Sequence, residues 1–192
     1  MFVSRDREKL INAIVYFLRE TKHCHTLKLF KLLNFADFEH FRQQGRTIFR
    51  LEYRALPKGP VPTKLLEEMK RGGGQDLRAA VNLIEVKDDI SNELLRRDLK
   101  PRVQFDRKYF TPREMKILER VAEFFKELRA EDMSEFSHMK HLPWRKVYDE
   151  GKGKGKLISP DLSLESDPLV HDAPTINREE LEGRRELLRD TI

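Results

Sequence analysis

The stretch Leu27-Lys-Leu-Phe-Lys-Leu-Leu-Asn-Phe-Ala-Asp-Phe-Glu-His-Phe-Arg-Gln-Gln44 decides how the rest of the chain must be arranged. Leu27, Leu29, Phe30, Leu32, Leu33, Phe35, Ala36, Phe38 and Phe41 cover most of a helical circumference rather than a single stripe. A helix apolar on so many sides belongs in the middle of a fold, with other elements packed around it. Thr26 is placed to cap its start, and Gly45 to stop it in the left-handed conformation that ends many helices. Asp37 is the anomaly. A carboxylate among aliphatic and aromatic neighbours needs a partner, which His40 one turn on, or an arginine from elsewhere, could supply.

Upstream, Leu10, Ile11, Ile14, Val15, Phe17 and Leu18 recur at three- and four-residue spacing and predict an amphipathic helix over Arg7 to Glu20. Downstream, Ile48 to Ala55 alternates briefly. Leu56-Pro-Lys-Gly-Pro-Val-Pro62 then reads as a rigid, shaped loop, because three prolines and a glycine oppose regular structure. Pro62 suits the first turn of a short helix to Met69 or Lys70, stopped by Gly72-Gly-Gly74. Ala80 to Val86 reads equally as strand or helix, and Arg102 to Asp106 as a short strand. Thr111-Pro-Arg-Glu114 is the sharpest local signal, a capping box with proline at the first helical position. It opens a helix to about Arg129 with Met115, Leu118, Val121, Ala122, Phe125 and Leu128 buried. A short helix from Ala130 to His138 follows, and Pro143 interrupts the chain before Trp144. Gly151-Lys-Gly-Lys-Gly-Lys156 reads as a flexible basic link, and Asn177 as the cap of a last helix from Arg178 to Asp190. The fold class expected is mainly α, a compact helical domain over 1–158 with room for a small β-hairpin or short strands. A polar C-terminal tail over 159–192, with a short helix of its own, completes it.

Composition narrows the function classes. Charged residues make up 37% of the 192 residues and hydrophobic ones 39%, so the surface is ion-rich and the core modest. A lone cysteine excludes an internal disulfide framework. Charges among the first eight residues replace the apolar run of a signal peptide, and no window approaches a membrane span, so a soluble, cytoplasmic protein with no membrane partner is expected. The net charge of +5 is uneven: Met1 to Lys64 holds 13 Lys/Arg against 6 Asp/Glu, while the remainder is slightly acidic. Such an excess suits a solvated basic face, an acidic partner or nonspecific contact with nucleic acid.

The candidate chemistry is sparse. His138 and His141 share a helical spacing just before the only tryptophan, and His23-Cys-His25 sits in a turn, but nothing local brings the two groups around one ion. Cys24 lacks a base placed by sequence. The Gly-Lys run departs from a phosphate-binding loop in its spacing and puts Leu157 where Ser or Thr must stand. These readings give no catalytic residue, no metal ligand and no cofactor. Tyr53, Arg54 and Trp144, wherever exposed beside the proline loop, are candidate anchors for a protein partner; a lone tryptophan after proline more often plugs a core.

In order along the chain, Leu29-Phe-Lys-Leu-Leu-Asn-Phe-Ala-Asp37, His40-Phe-Arg-Gln-Gln-Gly45, Leu51-Glu-Tyr-Arg-Ala55, Lys58-Gly-Pro-Val-Pro62, Phe110-Thr-Pro-Arg-Glu114 and Ser137-His138 followed by Trp144 resemble the SocA-like antitoxin family, also called the Panacea domain. The residues that carry the resemblance are Lys31, Leu33 and Asp37; Gly59, Pro60, Val61 and Pro62; Thr111 and Glu114; and His138 with Trp144. Asn34 departs from it, standing where an aromatic residue is commoner, and Lys140-His141 replaces more acidic residues. The resemblance implies a mostly helical, non-catalytic antitoxin of a bacterial chromosome or mobile element that binds and neutralises a cognate protein toxin. It also implies an alternative, an adaptor that delivers its toxin to a AAA+ protease, while the basic first third and the Gly-Lys run leave a nucleic-acid-binding regulator as another.

Overall fold

The computed structural model describes residues 5–88, 91–137, 142–166 and 175–189. Helix α1 (Asp6–Glu20) packs its predicted stripe against α2 (Thr26–Gln44), and every residue of α2 from Lys28 to Gln43 is buried. Around α2 lie α1, α5 (Pro112–Phe124), α6 (Ala130–Ser137) and two antiparallel hairpins, so the longest apolar stretch does form the centre. Each fully buried Leu or Phe on it contributes roughly 1.5–3 kcal/mol before chain entropy is subtracted.

The start of α2 corrects the expected cap. Thr26 lies inside the helix with His25 at the N-cap, and the Thr26 hydroxyl donates to Arg97 O at 3.2 Å. Strand β4 (Leu94–Pro101) runs beside this turn, with a bridge between His25 and Asp98, and the Arg97 carbonyl captures the hydroxyl. At the other end Gly45 is left-handed at φ 69 and donates to Phe41 O at 2.7 Å.

The proline loop is a hairpin rather than irregular structure. β1 (Tyr53–Leu56) pairs with β2 (Gly59–Pro62) in the register Arg54↔Val61 and Leu56↔Gly59. The main chains of Tyr53 and Ala55 turn the other way, to Ile158, Gly155 and Lys156. Period-two alternation therefore leaves Pro60 and Pro62 opposite residues that ask nothing of their nitrogens. The missing N–H groups also strip donors from the outer edge of β2, which blunts it against further pairing.

Helices α3 (Thr63–Lys70) and α4 (Gln75–Ala80) follow, held to α1 by Arg7, which reaches Glu68 at 2.5 Å and Asp76 at 2.6 Å. The chain then forms the long hairpin of β3 (Val81–Lys87) and β4 (Leu94–Pro101). The expected strand at Arg102 to Asp106 is displaced to Leu94–Pro101, whose charged sequence hides its period because only Leu99 is buried.

The capping box at Thr111 is complete: Thr111 Oγ1 accepts from Glu114 N at 3.3 Å, and Glu114 Oε2 accepts from Thr111 N at 2.8 Å. Helix α5 stops at Phe124, five residues short of the expected end, because the buried Lys28 ammonium draws in the carbonyls of Lys126 (3.3 Å) and Leu128 (2.6 Å). Helix α7 (Pro143–Tyr148) begins at Pro143. The tail does not simply trail away. A turn at Pro160–Glu165 packs on α2, and Ile176 and Leu181 close over Phe41. Asn177 caps α8 (Arg178–Arg189), its side chain accepting from Glu180 N at 2.8 Å.

Candidate functional site

Asp37 is fully buried, and its partners are neither His40 nor an arginine. Its carboxylate accepts from Ile48 N and Phe49 N, both at 2.8 Å, and from the Tyr53 hydroxyl at 3.0 Å, so it fixes the chain leaving α2 and the root of the first hairpin. Burial outweighs these donors and pushes its pKa up to about 7. His40 instead contacts Arg46 O at 2.7 Å. Six residues before Asp37, Lys31 donates to Ala130 O at 2.8 Å, and burial lowers its pKa to about 8. Leu33 is fully buried, and Gly59, Pro60, Val61 and Pro62 form β2 against α2.

Trp144 donates from Nε1 to Leu56 O at 2.9 Å and stacks on Tyr148 with ring centroids 4.6 Å apart. It shares a cluster with Phe38, Tyr53, Ala55 and Ile158. Of the three candidate anchors, Tyr53 (1% exposed) and Trp144 (4% exposed) are therefore framework, and Arg54 is the exposed one. The Arg54 guanidinium lies along the backbone of the Gly-Lys run, donating to Gly155 O at 2.8 Å. That run is not a flexible link. Ala55 N donates to Lys156 O, Gly155 N to Ala55 O and Ile158 N to Tyr53 O, which makes Gly155 to Ile158 a third strand-like segment on β1.

His138 and His141, on which the metal question turned, lie outside the described residues. Among the described residues no group of three potential ligands gathers. Burial pushes the Cys24 thiol up to about 11, far from the thiolate a nucleophile needs. The basic excess of the first third is partly internal: Lys28, Lys31 and Arg42 are buried, Arg42 beside Glu39 at 2.7 Å.

The turn at His23-Cys-His25 opens instead on a groove of about 920 Å³ between the start of α2, the tip of the first hairpin and β4. Leu27, Phe30, Val61 and Leu66 lie along it, with Leu94 and Leu95 of β4 exposed at its side. Lys58, Arg96, Arg97, Lys100 and Arg129 line it against Asp98 and Glu131 only. No carboxylate stands in the first turn of α2, which faces this space. No motif within a single segment announces this surface. The adjacent Leu94-Leu-Arg-Arg97 is the nearest to a signal for it.

These features define a mainly helical domain with a hydrogen-bonded interior and an open, basic, partly apolar groove. Residues 29–145 match the family described as antitoxin SocA-like, Panacea domain, and the chain belongs to that family. Comparison with curated proteins and with solved structures returned no match.

Proposed function

We propose that the protein is the antitoxin of a toxin–antitoxin pair and neutralises a cognate protein toxin by direct binding, without catalysis of its own. Membership of the SocA-like family carries this reading. Its support in the chain is that the groups most able to do chemistry are engaged in holding the fold. Asp37 anchors two backbone amides and a phenol, Lys28 and Lys31 hold carbonyls, and Trp144 plugs the first hairpin. The motif residues Lys31, Leu33, Asp37, Gly59 to Pro62, Thr111, Glu114 and Trp144 then serve as scaffold, and binding belongs to the surface they support.

No helix among the described residues is long and apolar enough to cross a membrane, which fits the cytoplasmic site of action we propose. Delivery of the toxin to a AAA+ protease would call for a free tether, whereas the described tail docks on α2. Recognition of nucleic acid through a helix-turn-helix would call for an exposed basic recognition helix, whereas α2 is buried.

The test is co-expression with the product of the adjacent gene. Growth arrest by that product alone, rescue by this chain and recovery of a stoichiometric complex are expected. A harmless neighbour, or rescue without a complex, overturns direct neutralisation.

A further inference from the structure

Consecutive residues of a strand point to opposite faces, so two neighbouring leucines on a two-stranded sheet are not both buried by one packed face. In the β3–β4 register Val86 faces Arg96 and Lys87 faces Leu94, which leaves Leu95 as the extra residue of a bulge. Both Leu94 (42% exposed) and Leu95 (63% exposed) stand at this irregularity and lie along the groove. Exposed leucines on an edge strand are a solubility cost that folding alone does not require. Around them five cationic side chains face two carboxylates. Arg96 is held by Asp98 at 2.8 Å, and Arg97 reaches out of the groove to Glu85 at 2.8 Å. Lys100 and Arg129 form no ion pair among the described residues and keep the groove positive.

We propose that this groove seats an acidic, amphipathic segment of the partner protein, with apolar side chains against Leu94 and Leu95 and carboxylates toward Lys100 and Arg129. The inference rests on the antitoxin reading for the identity of the partner, while the groove's preference for such a segment stands on its own geometry. An uninterrupted pairing strand is a poorer occupant, because the bulge and the arginines blunt the β4 edge. Helix-in-groove binding uses apolar anchors at helical spacing and suits a trough of this lining. Charge complementarity makes association fast at low salt and weaker as salt rises.

The experiment uses the full chain and a synthetic helical peptide with leucines on one face and glutamates on the other, followed by fluorescence anisotropy. Two control peptides carry lysine for every glutamate, or serine for every leucine. Binding of the Glu/Leu peptide alone is expected, with loss of affinity in added salt. Leu95→Asp and Arg129→Glu, both at exposed positions, should each weaken it by roughly tenfold or more while leaving the melting temperature in place. Lys154→Glu, on the Gly-Lys run outside the groove, should change nothing. The same variants are then co-expressed with the toxin. A toxin complex retained by both groove variants, or absence of peptide binding by the wild-type chain, overturns the groove proposal and leaves the antitoxin reading intact. A wild-type chain that binds the peptide but rescues no toxin overturns the antitoxin reading and leaves the groove. Binding of a single-stranded oligonucleotide that both groove variants abolish would replace the protein occupant by nucleic acid and also overturn the proposal.

Discussion

Asp37 is surrounded by donors only, so replacing it separates its two contributions, the acceptor and the titration. Asp37→Asn keeps one acceptor oxygen and puts an amide N–H₂ where a donor already points, which should cost about 1–3 kcal/mol in urea unfolding. The wild-type pKa of about 7 stands above the ordinary aspartate value of about 4. Between those values the folded state holds a proton that the unfolded state has lost, so stability falls as pH rises and levels off above about 7. Its contribution to the slope is at most about 1.4 kcal/mol per pH unit, and that contribution should be missing from Asp37→Asn when melting is followed from pH 4.5 to 7.5, where His25 and His40 still titrate in both proteins. Wild-type stability that rises over that window relative to the variant contradicts the assignment. Lys28→Met tests a buried cation. Three carbonyls, of Lys22, Lys126 and Leu128, lose their shared donor, and a loss of about 1–3 kcal/mol is expected, seen as a lower urea midpoint. The sequence announced that Asp37 needed a partner but not which one, since backbone amides such as Ile48 N and Phe49 N carry no residue letter. The same holds for Lys28, whose acceptors are all main-chain oxygens.

Among the elements, the first hairpin and the Gly-Lys run act as one unit. A Cβ on Gly153 would stand 1.7 Å from Val147 O, a backbone atom that cannot step aside, whereas one on Gly155 would meet open space and only a left-handed φ of 80. Gly153→Ala should therefore cost at least about 2 kcal/mol and Gly155→Ala about 1 kcal/mol. Hydrogen exchange distinguishes release of the segment from global loss: the Ala55 amide, which donates to Lys156 O, should exchange faster in Gly153→Ala while α5 keeps its protection. Equal exchange in both variants counts against the three-stranded unit. Helices α1, α2 and α5 were legible because their apolar periods and caps are local, Thr111 to Glu114 above all. The hairpins were not. Proline placed by strand parity looks in sequence like proline that breaks structure, and β4 buries a single leucine, too few to reveal a period of two.

For the whole molecule, the tail and the groove occupy different parts of the surface: the groove lining includes no residue beyond Glu131, while Ile176 and Leu181 close over Phe41 at the far end of α2. A chain ending at Ser166 should lose about 1–2 kcal/mol, the burial of those two side chains offset by the order they no longer need. It should still bind the toxin in a pull-down if the groove is the seat; loss of binding with the fold intact moves the interface to the tail. The family was legible because its motifs lie in order along the chain, and the groove was not, because His23 to Phe30, Lys58 to Leu66 and Leu94 to Lys100 meet only in space. The pairing of Tyr53 and Ala55 with Gly155 to Ile158 has a bearing on synthesis. Roughly 100 residues separate the partners, so a ribosome adding ~5–20 residues per second leaves one side of β1 without its neighbour for roughly 5–20 s. For that interval the nascent hairpin offers an unpaired edge to other nascent chains, and co-translational capture, not only the finished surface, becomes a stage at which this protein's fate is decided.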